Sequence, residues 1–438
     1  MREMKDSGIS WIGDIPLEWD VFPLKYCFAF VAGATPDSTN ADLWDGDVLW
    51  ITPADYKTKD VYVFGGSRNL SKLGYKSCST HMLPVGTVVV SKRAPIGTVA
   101  VTAKPLCTNQ GCLGLVRKYN NISEKYYYYV LSIYDDVLNL YGTGTTFKEI
   151  SATVFSNINV ANPPYAQQKA IADFLDSKCS EIDALSADIQ SEIDTLEAYK
   201  RSVITKAVTK GLDKNAPMKD SGIEWISKVP VHWETIPFKY VLNERNQKNN
   251  PPRTDERLSL SIGLGVTRYE DKTTNLDRFK EDVSQYKLAH VGDLVMNSMN
   301  MIVGATGVSN YFGCVSPAYY TFFDFEEDHV IAKFCEYMFL TPLLLGELHK
   351  LGKGIMFIER GEGKVNTCRL KVSRYDLGKI VLPIPPILEM RKIVEYLNGF
   401  VEDVDTMIKQ KKEQLEILAD YKKSVIYEYV TGKKEVLV

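Results

Sequence analysis

Residues 163–209 read PPYAQQKAIADFLDSKCSEIDALSADIQSEIDTLEAYKRSVITKAVT, and residues 385–431 return to the same pattern as PPILEMRKIVEYLNGFVEDVDTMIKQKKEQLEILADYKKSVIYEYVT. Each opens with Pro-Pro, whose fixed φ and missing backbone donors let a helix begin just after it but not run through it. In the first copy Leu175, Ile182, Ile189, Leu196 and Val203 recur every seven positions, with Ile171, Leu185, Ile193 and Tyr199 between them. That spacing predicts a coiled-coil seam. The second copy is rougher: Leu397, Val404, Ile408, Leu415, Leu418 and Val425 share a stripe that Lys411 interrupts. At 1.5 Å per residue, about 44 residues make a rod roughly 65 Å long.

Working outward, the repeat reaches the segments that precede each helix. Residues 4–26 (MKDSGISWIGDIPLEWDVFPLKY) and 218–240 (MKDSGIEWISKVPVHWETIPFKY) are identical at 13 of 23 positions, so the chain is built twice. Each half is an opening tag, a variable block and a long helix. Trp11 and Trp19, repeated as Trp225 and Trp233, read either as stacking platforms for nucleic acid or as docking residues that hold the tag on a neighbouring element. Their Pro-punctuated, non-basic surroundings favour docking.

A chain of 438 residues with 45% apolar and 24% charged residues has the balance of an ordinary globular protein with two or three domains. No apolar run approaches the roughly 18 to 20 residues of a membrane span, and no signal peptide opens the chain, so a cytoplasmic location is expected. The eight cysteines are scattered, and the closest pair, Cys107 and Cys112, lacks metal or redox spacing. Net charge is −3, so any nucleic-acid binding must rest on local patches.

The variable blocks read as α+β. In the first, residues 47–52, 87–91 and 97–101 are β-branched runs bounded by Gly and Pro. Lys92 and Arg93 stand at a strand end before a tight turn, where Arg could lie bidentate on guanine or hold a phosphate, and where a solvated turn is the alternative. Asn109-Gln110-Gly111 offers amides to adenine or is a plain Asn-Gly turn. The loop 142–148 lacks the Gly-Lys-Ser/Thr ending of a P-loop, which argues against nucleotide hydrolysis, yet Thr145 and Lys148 could meet a DNA phosphate. In the second block Arg268, Lys272, Asn297, Asn300 and Arg360 are candidate base or phosphate contacts, each also readable as a surface residue. Tyr126 to Tyr129 point in different directions, which predicts core packing with one exposed ring.

Asn162-Pro163-Pro164-Tyr165 spells the tetrapeptide that DNA adenine methyltransferases use around a flipped adenine. Its second-half counterpart is Ile384-Pro385-Pro386-Ile387, and no Gly-rich S-adenosylmethionine loop accompanies it. The five histidines show no metal spacing.

Gly13-Asp14-Ile15-Pro16-Leu17-Glu18-Trp19, its echo Val229-Pro230-Val231-His232-Trp233, and the helix openings Pro163-Pro164-Tyr165-Ala166-Gln167-Gln168 and Pro385-Pro386-Ile387-Leu388-Glu389-Met390 resemble the specificity subunits of type I restriction-modification enzymes. Gly33-Ala34-Thr35-Pro36, Trp44-Asp45-Gly46 and Arg93-Ala94-Pro95-Ile96-Gly97 are similar to stretches of the family's first recognition domains. The resemblance implies two α/β target recognition domains separated by two long antiparallel coiled-coil helices with pseudo-twofold symmetry. The corresponding divisions are 1–162, 163–212, 213–384 and 385–438. It implies a non-catalytic DNA-binding subunit whose recognition domains each read half of a bipartite duplex target. Two modification subunits and the restriction (motor-nuclease) subunits would be its partners. S-adenosylmethionine and ATP with Mg would bind those partners, with no cofactor on this chain. Two other readings compete: an adenine methyltransferase using residues 162–165, and a coiled-coil adaptor for proteins.

Overall fold

Pro163-Pro164 and Pro385-Pro386 act as their covalent geometry requires: long helices begin at Tyr165 and Ile387 and run to Lys210 and Val430. The computed structural model describes residues 2–56, 60–93, 95–142, 148–271, 283–354, 359–360, 364–365 and 370–436. Helices and sheets are mixed, and the chain divides into two compact units, residues 1–190 with 413–438, and residues 191–412. The division falls inside both long helices, so each unit holds a portion of each.

In the first unit the tag folds as a hairpin, Met4–Asp6 against Asp14–Pro16. Asp20–Pro23 then pairs with Asn159–Asn162, so the strand after the tag lies beside the strand that leads into the helix and closes the block between them. A five-stranded sheet runs in the order Phe28–Ala32, Cys112–Arg117, Val88–Ser91, Val99–Thr102 and Tyr62–Val63. All four residues of Val88–Ser91 and of Val99–Thr102 are buried, as expected of strands covered on both faces. A three-stranded sheet sets Trp44–Ile51 between Cys107–Thr108 and Arg68–Leu70. Helix Glu124–Ser132, capped by the Ser123 hydroxyl, carries the tyrosine run. Tyr126, Tyr127 and Tyr129 are buried and Tyr128 is half-buried, so no ring of the four is exposed.

The core of this unit joins Ile171 and Leu175 of the first helix to Val425, Ile426 and Val430 of the second, around Trp19 and Phe28. Each such fully buried side chain contributes about 1.5 to 3 kcal/mol. Here the helices run antiparallel, with Asp183 paired to Lys422 at 2.6 Å and the rings of Phe174 and Tyr429 in tilted contact at 4.4 Å. Gly432 ends the second helix at φ +71°, and a Cβ there would lie 2.3 Å from Pro16, so glycine is required where the chain turns against the tag.

The second unit repeats the plan. Its hairpin is Met218–Ile223 against Ile226–Pro230, and Glu234–Pro237 pairs with Val381–Ile384 ahead of the helix. Its main sheet differs, with four strands ordered Asn243–Glu244, Tyr319–Phe323, Leu294–Asn297 and Thr306–Val308. The core gathers Ile204 and Val208 with Trp233, Ile393 and Leu397. The helices are antiparallel here too: Lys200 pairs with Asp405, and Lys411, the cation that breaks the apolar stripe, pairs with Glu192. Leu185 in the first unit and Tyr199 in the second, both assigned to the seam by spacing, are about half exposed at 49% and 55%. Tyr199 instead lays its ring edge-on to Phe400.

Candidate nucleic-acid interface

The tryptophans hold the scaffold. Trp19 and Trp233 are fully buried, which removes them as stacking platforms. Each indole N–H reaches the third residue after a Pro-Pro: Trp19 donates to Gln167 Oε1 at 2.8 Å, and Trp233 to Glu389 Oε1 at 3.1 Å. The next position packs differently in each half. Gln168 is buried and hydrogen-bonds to Ser123, Asn162 and Pro163, while Met390 enters an apolar core. The acceptor role of Gln167 and Glu389 was not read from the sequence, although their shared place in the helix opening was its signal.

On the first block the structure brings several candidates together. Lys92 and Arg93 follow strand Val88–Ser91, and both meet Glu149, with Lys92 Nζ at 3.0 Å and Arg93 Nε at 2.9 Å. Burial alone would raise the Glu149 carboxyl, but hydrogen bonds from Lys92 and Arg93 outweigh it and hold the group below its ordinary range. The backbone N–H of Lys92 donates to Gly111 O at 2.9 Å, which ties this turn to the Asn109 loop. Asn109 itself spends Oδ1 on the Gly111 N–H at 2.9 Å, so it forms the plain turn and leaves its Nδ2 for other partners. Thr35 donates to Gln110 beside it, and a Cβ at Gly33 would lie 2.1 Å from Thr108 O, a backbone approach that only glycine permits. The loops around residues 33–36, 92–93, 109–111 and 148–149 therefore form one cluster. Lys148 is exposed within it, and Thr145 lies outside the described residues.

On the second block Asn297 and Asn300 share one turn. The Asn300 N–H donates to Asn297 O, Asn297 Oδ1 accepts from the Met299 N–H at 3.0 Å, and the Asn300 side chain is exposed. Arg268 lies 3.9 Å from Glu256 and over the Tyr311 ring at 5.2 Å, with its side chain 47% exposed. Lys272 lies outside the described residues, as does the side chain of Arg360, whose backbone pairs with Lys364.

The Asn162 tetrapeptide is engaged in structure. Asn162 Oδ1 accepts from the Tyr127 hydroxyl at 2.6 Å and from Gln168 Nε2 at 3.1 Å, so the oxygen that would receive an adenine amino group is already used. The adjoining cavity, about 360 Å³, is lined by the carboxylates of Glu18 and Asp20, which repel a nucleotide phosphate. No described helix is long and apolar enough to cross a membrane.

Residues 16–195 match the family described as Type I restriction modification DNA specificity domain. Over those residues the chain is similar to type I restriction-modification specificity subunits. It is 29% identical to the Type I restriction enzyme MjaIX specificity subunit of Methanocaldococcus jannaschii, over 55% of this chain and 56% of that relative, so it spans little more than half of that protein's length. Against the putative type I restriction enzyme MjaX specificity subunit of the same organism identity is 23%, over 96% of this chain and 95% of the relative. The fold is similar, with a TM-score of 0.65 at 14% identity, to a chain from a solved structure on complex assembly and conformational transition of the type I R-M system. The match covers 96% of this chain and 99% of that one.

Proposed function

We propose that this chain is the DNA-binding specificity subunit of a type I restriction-modification system, and that residues 27–161 and 241–384 each read one half of a bipartite duplex target. One observation carries the reading. The two halves use the same tag hairpin, the same tryptophan-to-helix hydrogen bond and the same closing strand pair, yet enclose blocks with different sheets. Common scaffold with divergent inserts is what two readers of different words require.

On this reading the four divisions 1–162, 163–212, 213–384 and 385–438 are recognition domain, spacer, recognition domain and spacer. The helices act as an antiparallel coiled coil that sets the gap and docks two modification subunits. Contacts to bases and phosphates fall to Lys92, Arg93, Asn109, Thr145 and Lys148 in the first block and to Arg268, Lys272, Asn297, Asn300 and Arg360 in the second. The chain works in the cytoplasm and catalyses nothing. S-adenosylmethionine serves the modification subunits, and ATP with Mg the restriction subunits. The occupied Asn162 oxygen weighs against the methyltransferase alternative.

The test is an exchange of residues 27–161 for the block of a relative, followed by methylation mapping in a host that carries the whole system. One half of the recognised sequence should change while the other half and the gap persist. A change in both halves together, or in the gap alone, overturns the proposal.

A further inference from the structure

The chain carries net charge −3, yet four lysines converge on one open cleft of about 300 Å³ in the second unit. Lys206 and Lys210 lie one turn apart at the end of the first long helix, Lys214 follows in the loop, and Lys228 comes from the second strand of the tag hairpin. All four are exposed, and among the described residues none of them forms an ion pair and Asp213 is the one carboxylate lining the cleft. Like charges four apart on a helix destabilise it by about 0.2 to 0.5 kcal/mol, so this arrangement needs a reason.

Attraction of cations to a helix C-terminus is an insufficient reason. Offsets of 222 in the helices and 214 in the tags place Glu428 opposite Lys206, Gly432 opposite Lys210 and Asp14 opposite Lys228. The second helix therefore ends without these lysines, and the nearby Lys433 and Lys434 are occupied by Asp14 O and Glu428. The fold does not demand the cleft. Nor does a pair of identical docked subunits, because the surface occurs in one half alone.

The geometry points to a phosphodiester-binding cleft, a contact to the backbone of duplex DNA made by Lys206, Lys210, Lys214 and Lys228 on the second half only. Lysine ammoniums are compact, strongly hydrated charges suited to phosphates, and lysine is depleted where proteins meet proteins. Among the described residues that line it, the cleft also offers no aromatic anchor for a protein partner. The inference rests on the proposed function and adds to it a sequence-independent contact that anchors one half of the complex.

The experiment uses the complex with modification subunits, unaltered and with Lys206→Gln, Lys210→Gln, Lys214→Gln and Lys228→Gln combined. Fluorescence anisotropy measures binding to a duplex with the mapped target and to one without it, across about 50 to 200 mM KCl. The slope of log affinity against log salt should flatten by roughly 2 to 4, at about 0.9 per lost phosphate contact. Affinity should fall alike on both duplexes, so their ratio holds. The corresponding four Lys→Arg changes should keep the slope, which separates lost charge from lost fold. An unchanged slope in an assembled glutamine variant overturns the inference. So does loss of modification subunits with the slope intact, which marks a protein contact. An unaltered complex with no sequence preference overturns the functional reading instead.

Discussion

Glu149 touches both cations of the turn at Lys92 and Arg93, and on the proposed function its charge decides how they meet a polyanion. Replacing it by Gln should leave Lys92 and Arg93 unneutralised, raise affinity for non-target DNA and steepen its salt slope by up to about 1; unchanged non-target binding would place this turn away from DNA. Arg93→Ala should cost about 1 to 3 kcal/mol and relax one base position in the first half-site if Arg93 reads guanine, whereas a phosphate contact would weaken all sequences alike. A variant with full affinity would leave Arg93 a surface ion pair. Lys92 and Arg93 were legible as cations at a strand end, but Glu149 was not, because it is 56 residues from Arg93 and no local pattern links them. A different residue sets a pH dependence in the second unit. Burial raises the Asp324 carboxyl above its ordinary range, with an opposing hydrogen bond from the Ala332 N–H and the nearby His329 too weak to cancel it. The folded state thus binds the proton more tightly than the unfolded chain, so stability falls as pH rises through the window that opens near 4. Urea titrations from about pH 4 to 7 should show Asp324→Asn gaining on the parent as pH increases. A constant difference across that range would contradict the assignment.

At the scale of elements, the tag hairpins stand on their tryptophans. Trp19→Ala should destabilise the first unit by about 3 to 5 kcal/mol, and Trp19→Phe, which keeps the ring but loses the hydrogen bond to Gln167, should cost only about 1 kcal/mol from that bond plus some packing. Denaturant midpoints decide it: equal costs for the two changes would mean that burial of the ring contributes nothing. The long helices were legible because Pro-Pro openings and a seven-residue period are local signals. The seam was less so, since Leu185 and Tyr199 satisfy the spacing but are half exposed, and ion pairs such as Lys411 with Glu192 replace apolar contacts. Strands were legible as β-branched runs with shifted ends; Trp44–Ile51 begins three residues before the run at 47–52. Their order in the sheets was not, because partners such as Phe28–Ala32 and Cys112–Arg117 are some 80 residues apart.

For the whole molecule, the sequence changes character at the Pro-Pro pairs, which suggests divisions at 162/163 and 384/385. The compact units part at 190/191 and 412/413, inside the helices, because Ile171 and Leu175 pack with Val425 and Ile426 in one core while Ile204 and Val208 pack with Ile393 and Leu397 in the other. A helix that serves two cores looks uniform along its length, so no local signal marks the place. That place is where the proposed ruler is best tested. Asp183 pairs with Lys422 within the first unit and Glu192 with Lys411 within the second, so one heptad added at 190/191 and one at 412/413 should preserve both pairs. Each helix then gains about 10 Å. Methylation mapping of a host carrying the lengthened chain should return the same two half-site words with a gap longer by up to roughly three base pairs, at 3.4 Å per base pair. Altered words with the original gap would contradict the account.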